Sequence, residues 1–485
     1  MRIAKIEIKD FRAFPGPGTY TFDLDGGKNL LIYGENGSGK SSLFRAIVEF
    51  FNLDAKAHPF ADYKNIFSDA GLTDGHVTCH FDDGQPPAVW PFEGSRSTSE
   101  PRVAETARRK GCLDYRALLR TNFVHGTGLV NIFDLVVESL LASYILVAVG
   151  PTATIGQLWQ EVCDSLPIFH RRNRLVKMNE AVTRFNQAVS PVWTELKTKA
   201  EELLSGFPGC GVSLQFDFPG IVYDTRERRL IQKQLNLSVD LNGRRILEHQ
   251  HFLNEARLSA IAISLYFAGL LISIPAPVPG APAYPKLLVL DDVLIGLDMA
   301  NRMPVLEIIR QHFADWQVIL LTHDKVWYEI VRLETEAGQD WRYHELYMSK
   351  APDGSDLPLH RGHGAGWPDF LAKARRYLAD GDDRAAAVYA RAAFESKLKR
   401  YCEDKAIAVR YHTDPRRIDA EWFWQAIKKK AKDDGKEAAL QPMFSHIETF
   451  RKIVLNPLSH ATPTTVTRAE IQGAIDAVAA LKFDP

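Results

Sequence analysis

The chain has 485 residues, a formal net charge of −1 and 46% apolar residues. These values are ordinary for a soluble globular protein of about two to four domains, and they exclude a chain that is disordered throughout. The balanced charge also excludes a generic polyanion binder, although it leaves room for a local basic face.

Cysteine spacing and the first residues predict a cytoplasmic protein. The five cysteines are scattered and none forms a C-x-x-C pair, which argues against a disulfide framework and against a zinc site. Residues 1–5, MRIAK, begin a strand-like alternation instead of a secretory signal. One uncharged run, 258–275, approaches the length of a membrane span. Its small residues predict a buried core helix, and we expect no membrane contact.

A phosphate-binding turn follows the apolar strand predicted at residues 30–33. The turn fits the pattern G-x-x-x-x-G-K-[ST] and precedes a helix-like segment, which disfavours a chance match. Its glycines let backbone N–H groups surround a phosphate, its lysine reaches the β- and γ-phosphates of ATP, and its first serine can hold Mg²⁺. The predicted nucleotide-binding residues are Gly34, Glu35, Asn36, Gly37, Ser38, Gly39, Lys40, Ser41 and Ser42.

Strand and helix patterns divide the chain into two folded parts. Residues 1–350 mix both patterns, with a hairpin signal at Asn242-Gly243 and a helical pair at 155–205 that predicts a short arm. Residues 351–367 are rich in Pro, Gly and Asp and predict a linker. Residues 368–485 have helical spacing throughout. The predicted fold is an α/β nucleotide-binding domain followed by a separate all-α domain.

Two carboxylates end a later apolar strand, at 287–290. Asp291 is placed to hold Mg²⁺ together with Ser41, and Asp292 is placed to orient and deprotonate an attacking water. The alternative is a strand that ends in an ordinary polar turn.

A further apolar strand, 317–321, leads to His323. An imidazole at that point can hydrogen-bond the γ-phosphate, whereas a lone histidine is more often an ordinary surface residue. Lys40, Asp292 and His323 are the predicted catalytic residues.

A polar segment precedes the long apolar helix. Asn254, Glu255 and Ala256 would lie at the N-terminus of that helix, where they could face a phosphate held by a second molecule. An ordinary helix cap has the same sequence signature.

The order of these motifs resembles the ABC-type P-loop ATPase heads of the SMC, Rad50, RecF and OLD group. The resemblance covers residues 1–350 and extends to the segment IEIKDFRAF at 6–14, Gly296-Leu297-Asp298 and Thr322-His323-Asp324. It implies a homodimer, or a higher homo-oligomer, in which two heads enclose two ATP molecules. The residues that it implies near ATP or at the dimer interface are Arg12, Lys40, Ser41, Asn254, Glu255, Ala256 and Asp298.

The chain departs from the pattern of that group in its signature motif and its catalytic acid. The signature usually reads Leu-Ser-x-Gly-Glu/Gln, and here Asn254, Ala256 and Arg257 replace the serine, the glycine and the last residue. The usual catalytic glutamate is Asp292, which is one methylene shorter, so we predict slow turnover and a long-lived ATP-bound dimer. Asn122 is the candidate for the glutamine of the Q-loop.

The head also resembles ATPase subunits of prokaryotic phage-defence operons, such as those of Septu and PARIS. The long coiled-coil arms, zinc hook and hinge of SMC and Rad50 proteins have no counterpart in this sequence. This resemblance implies a partner effector, most simply a nuclease subunit.

The C-terminal part resembles HEPN-like helical domains, some of which are RNases with an Arg and a His four to six residues apart. Here Arg451 and His460 are nine positions apart and Pro457 lies between them, which favours an interaction module over an RNase. The run KKKAK at 428–432 could contact nucleic acid or form a solvated helix face.

Three functions follow from these patterns. The first is an ATP-driven conformational switch that controls a partner nuclease or engages DNA. The second is a C-terminal RNase that the head regulates. The third is a RecF-like DNA repair ATPase.

Overall fold

A computed structural model gives the fold as two compact units, Met1–Arg361 and Gly362–Pro485. The structure describes residues 1–16, 18–54, 57–121, 128–150, 153–166, 172–274, 284–294, 296–336, 338–350, 354, 356–362, 366–410, 412, 419–455 and 466–483. Asn122, Pro457 and His460 lie outside these described residues.

The strands lie in the first unit. They are β1 (Ile3–Lys9), β2 (Tyr20–Asp23), β3 (Asn29–Gly34), β4 (His76–Phe81), β5 (Ala88–Pro91), β6 (Lys110–Asp114), β7 (Val130–Asn131), β8 (Val212–Asp217), β9 (Val222–Asp224), β10 (Arg229–Ile231), β11 (Asn236–Leu241), β12 (Arg244–Ile246), β13 (Leu287–Asp291), β14 (Gln317–Thr322), β15 (Trp341–Lys350) and β16 (Asp356–Gly362).

The helices occupy both units. They are α1 (Lys40–Phe50), α2 (Pro101–Arg108), α3 (Tyr115–Leu119), α4 (Phe133–Leu135), α5 (Ile155–Asp164), α6 (Arg172–Leu204), α7 (His249–Phe252), α8 (Glu255–Ser273), α9 (Met299–His312), α10 (Lys325–Glu336), α11 (Trp367–Ala379), α12 (Asp383–Asp404), α13 (Ala420–Asp433), α14 (Glu437–Phe450) and α15 (Arg468–Ala480). Short 3₁₀ or π turns cover Phe60–Tyr63, Val136–Leu140 and Arg451–Leu455.

A six-stranded sheet in the order β16-β15-β3-β14-β13-β6 organises the first unit. The pairs that join β15, β3, β14, β13 and β6 are parallel. Along β13, Leu288 and Leu290 enter one hydrophobic core, whereas Leu287 and Val289 enter another on the opposite face. Because both faces are covered, the strand is a continuous apolar run instead of an alternating one.

Most of the uncharged run at 258–275 lies in the core helix α8, which ends at Ser273, as the sequence predicts. α8 is long and apolar enough to cross a membrane by length and composition, but 67% of its apolar window is buried inside the protein. The hairpin at Asn242-Gly243 also forms, with Leu241 paired to Arg244 across the turn.

Two boundaries differ from the sequence expectation. The helical pair α5 and α6 does not project as an arm, because apolar residues on both helices belong to the core that also contains α8. The predicted linker at 351–367 is largely structured, because β16 pairs with β15 and belongs to the first unit. Asp356 begins this strand and Pro358 lies within it, so this part of the predicted linker continues the sheet of the first unit.

The second unit has its own core, and its described elements are helices and one π turn. Trp424 is fully buried, with ring centroids of Phe394, Phe444 and Phe483 5.7, 5.2 and 6.4 Å away. Its indole N–H donates to Glu448 at 3.1 Å.

The basic run at 428–432 lies on α13 and is partly neutralised within the unit. Lys428 pairs with Glu448 at 2.9 Å, Lys430 pairs with Asp434 at 2.8 Å, and Ala431 is buried. These contacts fit a solvated helix face better than a nucleic-acid surface.

Trp424→Ala is expected to lower the unfolding free energy of the second unit by about 3–5 kcal/mol, because removal of a buried indole leaves a cavity. Calorimetry should show one transition shifted to lower temperature while the other stays in place. Trp422→Ala, at a half-buried position on the same helix, is the control and should cost much less. A shift of both transitions by Trp424→Ala would contradict two independent cores.

Candidate phosphate-binding site

The turn between β3 and α1 has the backbone of a phosphate cradle. Gly37 and Gly39 have φ values of 85° and 103°, a region that favours glycine. A Cβ on Gly34 would lie 2.4 Å from the Ser38 hydroxyl oxygen, so no side chain fits there. Gly39 is the N-cap of α1, and no side chain of the described residues caps that helix. Its first N–H groups therefore remain available to an anion.

Lys40 lies buried inside this turn. Its ammonium donates to the carbonyl oxygens of Gly34 and Glu35 at 2.7 and 3.2 Å, and it lies 3.8 Å from a carboxylate oxygen of Asp292. Burial lowers the pKa of Lys40, and the nearby carboxylates of Asp292 and Asp291 partly oppose that shift. The ammonium thus neutralises the acidic end of the site.

The remaining residues of the turn differ in exposure. Glu35, Asn36, Gly37 and Ser41 are exposed, whereas Ser38 and Ser42 are buried. The Ser38 hydroxyl is buried with no hydrogen-bond partner among the described residues, so it is a polar group that can bind a ligand in the cradle.

The Arg12 turn adjoins the cradle. The backbone N–H of Ala13 donates to the Ser42 hydroxyl at 3.3 Å, which joins this turn to α1. Arg12 itself has a φ of 50°, is exposed, and donates its backbone N–H to Tyr63 at 2.7 Å. Its neighbour Ala13 lines the cleft described below and Arg12 does not, so a contact of Arg12 with ATP stays a prediction.

Asp291 ends β13 next to the cradle and has the features of a metal ligand. Its carboxylate accepts a hydrogen bond from Ser41, and its second oxygen is buried with no partner among the described residues. Burial raises the pKa of Asp291 to about 6; the bond from Ser41 opposes this rise, and the charge of Asp292 adds to it. A buried, orphaned carboxylate oxygen beside a serine hydroxyl fits a hard cation such as Mg²⁺.

Asp292 and His323 form a hydrogen-bonded pair. One Asp292 carboxylate oxygen accepts from both the backbone N–H and the Nδ1 of His323, each at 2.8 Å. Asp292 has a φ of 53°, and its own N–H donates to Leu321 at 3.1 Å, which joins the ends of β13 and β14. The pair holds the imidazole against the carboxylate and leaves Nε2 as its second polar atom.

These residues line one open cleft of about 340 Å³, a size typical of small-molecule sites. Lys40, Asp292 and His323 come from three chain segments and converge here because parallel strands end at the same edge of the sheet. The cleft-lining residues are Ala13, Asn36, Gly37, Gly39, Lys40, Ser41, Ser42, Tyr115, Asp292 and His323.

Two residues of this region escape the sequence reasoning. Tyr115 lines the cleft and is 43% exposed. Asp114 pairs with Asp291 in the register of β6 and β13, and its charge contributes to the raised pKa of Asp291. The available signal was an acid at the end of a strand, which becomes informative only when β6 is known to neighbour β13.

The signature segment and Asp298 do not line this cleft in a single chain. Asn254 is the N-cap of α8 and accepts from the backbone N–H of Arg257 at 3.0 Å, with Glu255 and Ala256 in the first turn of the helix. Asp298 is exposed and caps α9 by accepting from the backbone N–H of Asn301 at 3.0 Å. Both segments thus have the ordinary helix-cap role that the sequence leaves open, and a trans contact would need a second copy.

Arg451 in the second unit is engaged in packing. It forms an ion pair with Glu421, and its guanidinium lies 5.4 and 5.5 Å from the ring centroids of Phe394 and Trp424. Its candidate partner His460 lies outside the described residues. Within the described part of the chain, no group of three or more His, Cys, Asp or Glu residues is arranged to hold a metal ion.

Comparison with known proteins finds one family model. It is described as an AAA domain and matches residues 5–71, which contain β1, the phosphate cradle and α1. No curated protein sequence matches the chain. The family match supports an AAA-type nucleotide-binding segment at the cradle.

Solved structures are also similar to the chain. The SMC head domain from Thermotoga maritima matches with 16% identity and a TM-score of 0.31, over 74% of this chain and 98% of that chain. An Smc head domain bound to the C-terminal domain of ScpA, from Pyrococcus furiosus, matches with 16% identity and a TM-score of 0.37, over 78% and 99%. The recombination mediator protein RecF in the RecF-ATPrS structure matches with 12% identity and a TM-score of 0.41, over 74% and 98%.

The pKa of Asp291 gives a pH-dependent prediction for nucleotide-free protein. Because the folded pKa of about 6 lies above the ordinary value of 3.8, the folded state binds the proton more tightly. The stability contribution of this carboxyl group is therefore lost as pH rises from about 4 to about 6. Asp291→Asn, which stays neutral, should raise the unfolding free energy by about 3 kcal/mol at pH 7.5 and by little at pH 4.

Denaturant unfolding in the presence of a chelator measures this difference. Asp114→Asn is the control, because it removes a charge next to Asp291 but keeps the Asp291 carboxyl group. Asparagine also retains the cap of α3. An equal effect of Asp291→Asn at both pH values, or a loss of stability at pH 7.5, would contradict the assignment.

Proposed function

We propose that this protein is an ATP-binding head that hydrolyses ATP slowly, closes with a second copy around ATP and thereby switches a partner effector. The observation that carries the proposal is the convergence of Lys40, Asp292 and His323 in one cleft, which Ser41 also lines, with Asp291 next to Ser41. This set combines phosphate binding, cation binding and general-base chemistry in one place.

We propose that the ammonium of Lys40 exchanges its hydrogen-bond partners when a nucleotide binds. This ammonium is bonded to carbonyl oxygens of its own turn, and the β- and γ-phosphates offer it charged acceptors instead. The uncapped N-terminus of α1 supplies backbone N–H donors to the same phosphates. Ser41 and Asp291 would hold Mg²⁺, which neutralises phosphate charge when bound.

Hydrolysis is assigned to Asp292 and His323. In nucleotide-free protein, the ammonium of Lys40 lies 3.8 Å from a carboxylate oxygen of Asp292. Movement of the ammonium to the phosphates frees one carboxylate oxygen to take the proton of an attacking water. His323 holds the other oxygen, and its Nε2 can donate to the γ-phosphate when it carries a hydrogen.

Closure of two heads is the proposed switch. The α8 N-terminus carries the positive end of a helix dipole, and the amide nitrogen of Asn254 can donate to a phosphate because its oxygen is used in the cap. ATP would shift the equilibrium towards the dimer through its greater affinity for the closed state. The short side chain of Asp292 and the Cβ of Ala256 favour slow ATP turnover, so the ATP-bound dimer would reopen slowly.

The partner effector and the biological process are proposed from the resemblance of the sequence motifs. A nuclease subunit in anti-phage defence is the preferred partner, and DNA engagement is the other output of the same switch. The engagement of Arg451 with Glu421 and two rings leaves the RNase alternative without support from the described residues. Nothing in the described site favours the RecF-like repair alternative over the switch.

Lys40→Ala is expected to reduce ATP affinity at least about 100-fold, because the lost charge-assisted bonds are worth about 1.5–3 kcal/mol each. Isothermal titration with ATP and Mg²⁺ measures the affinity. Arg45→Ala is the matched control, because Arg45 lies on the same helix, is partly exposed and pairs with Glu49. Unchanged ATP affinity in Lys40→Ala protein would overturn the proposed function.

Asp292→Asn is expected to lower the hydrolysis rate about 100-fold or more, because it removes a general base. An asparagine oxygen still accepts from His323, so ATP binding and ATP-dependent dimerisation should persist. Phosphate release measures hydrolysis, and light scattering after size exclusion measures the dimer. Affinity purification of this trapped form from its native host should enrich the partner.

Lys40→Ala protein serves as the negative control for the dimer and for the partner. Hydrolysis by Asp292→Asn protein at the wild-type rate would remove Asp292 from the mechanism. A monomer that persists with ATP would remove the closure step.

A further inference from the structure

Arg302 connects the loops that follow β13 and β14. Its Nε donates to the backbone carbonyl of Leu297 at 2.9 Å, in the segment that leads to the cap of α9. Its Nη1 forms an ion pair with Asp324, which precedes α10. One guanidinium thus holds together two loops that come from neighbouring strands of the sheet.

Asp324 continues this connection to the cleft. It follows His323 directly, and its backbone N–H donates to the Thr322 hydroxyl at 3.1 Å. Its carboxylate accepts from Arg302 and, through the other oxygen, from the backbone N–H groups of Val326 and Trp327 at 2.9 and 3.1 Å. Burial would raise the pKa of Asp324, but the hydrogen bonds from Arg302 and the backbone lower it, so the carboxylate is charged.

Arg302 also lines a small cavity beside the Asp292–His323 pair. Its side chain is only 14% exposed, and the same cavity is lined by Asp292, His323, Asp324 and Trp327. Arg302 does not line the cleft that contains the phosphate cradle. It therefore borders the pair from a cavity other than the cleft, and its hydrogen bonds connect it to the two loops.

We propose that Arg302 is a positioning residue for ATP hydrolysis, which couples the loop that ends at Asp298 to the His323–Asp292 pair. The inference rests on the proposed function, since it assigns a role within that same site. Asp298 is exposed on this loop, so a contact made there by a second copy would pull on Leu297 and be passed by Arg302 to Asp324 and His323. Arg302 would thereby make the geometry of the pair depend on the position of the loop.

The chain offers a matched control on the same helix. Arg310 also lies on α9 and also reaches α10, where it donates to the carbonyl of Glu334 at 2.7 Å and to its carboxylate at 3.3 Å. Arg310 is 38% exposed and is not among the residues that line the cleft or the small cavity. Loss of Arg310 removes a comparable bridge between the two helices without touching the site.

Steady-state kinetics tests the proposal. Arg302→Gln should lower kcat for ATP hydrolysis about 10-fold with less than a 2-fold change in ATP affinity, whereas Arg310→Gln should leave both unchanged. Arg302→Lys should recover part of kcat, because it retains the charge opposite Asp324 but not the two-point geometry. The proposal would be overturned if Arg302→Gln and Arg310→Gln reduced kcat equally. It would also be overturned if Arg302→Gln protein, but not Arg310→Gln protein, lost ATP affinity.

A double-mutant cycle tests whether Arg302 acts through Asp324. Asp324→Asn retains the cap of α10, because asparagine is also a good cap, and removes the charge. The double variant should be no slower than the slower single variant if the two residues act as one unit. Multiplied losses of kcat would show independent effects and contradict the coupling.

Hydrogen exchange in nucleotide-free protein separates this inference from the proposed function. Arg302→Gln should raise exchange about 3-fold or more in peptides that cover 293–302 and also in peptides that cover 320–327, whereas Arg310→Gln should raise neither. This result does not need ATP hydrolysis, so it stands even if Lys40→Ala shows that the proposed function is wrong. Faster exchange in 293–302 alone would disprove the coupling.

Discussion

Charge balance at the carboxyl edge of the central sheet controls the candidate site. Three acidic residues, Asp114, Asp291 and Asp292, end or follow neighbouring strands there, and the one buried ammonium described within this cleft is that of Lys40. Burial disfavours the charged forms of Asp291 and Lys40, which explains the raised pKa of Asp291 and the lowered pKa of Lys40. A polyphosphate with a divalent cation would satisfy both sets of charges at once.

The scaffold makes this concentration of charge possible. β13 and β14 are apolar on both faces, so the middle of the sheet is anchored in two cores while its polar ends remain at one edge. The hydrogen bond from Asp292 to Leu321 and the contacts of Arg302 add polar connections between the same two strand ends. Rigid strands therefore set the distances, and short loops carry the chemistry.

The two proposals differ in what they require of a second molecule. Phosphate and cation binding can be understood within one chain, since Lys40, Ser41 and Asp291 already lie together. The helix caps at Asn254 and Asp298 have complete local roles in a single chain, so any trans function would be added to a structural one. Arg302 provides a physical route by which a contact at Asp298 would reach His323.

The phosphate cradle, the apolar strands with their terminal acids, the core helix α8 and the hairpin at Asn242-Gly243 could be predicted from the sequence, because each depends on residues adjacent in the chain. The packing of α5 and α6 into the core, and the pairing of β15 with β16 inside the predicted linker, became evident only from the folded structure. It alone brought Asp114, Tyr115 and Arg302 to the site. Those outcomes depend on which strands become neighbours and on which apolar faces cover each other. The local spacing of residues in the chain predicts neither.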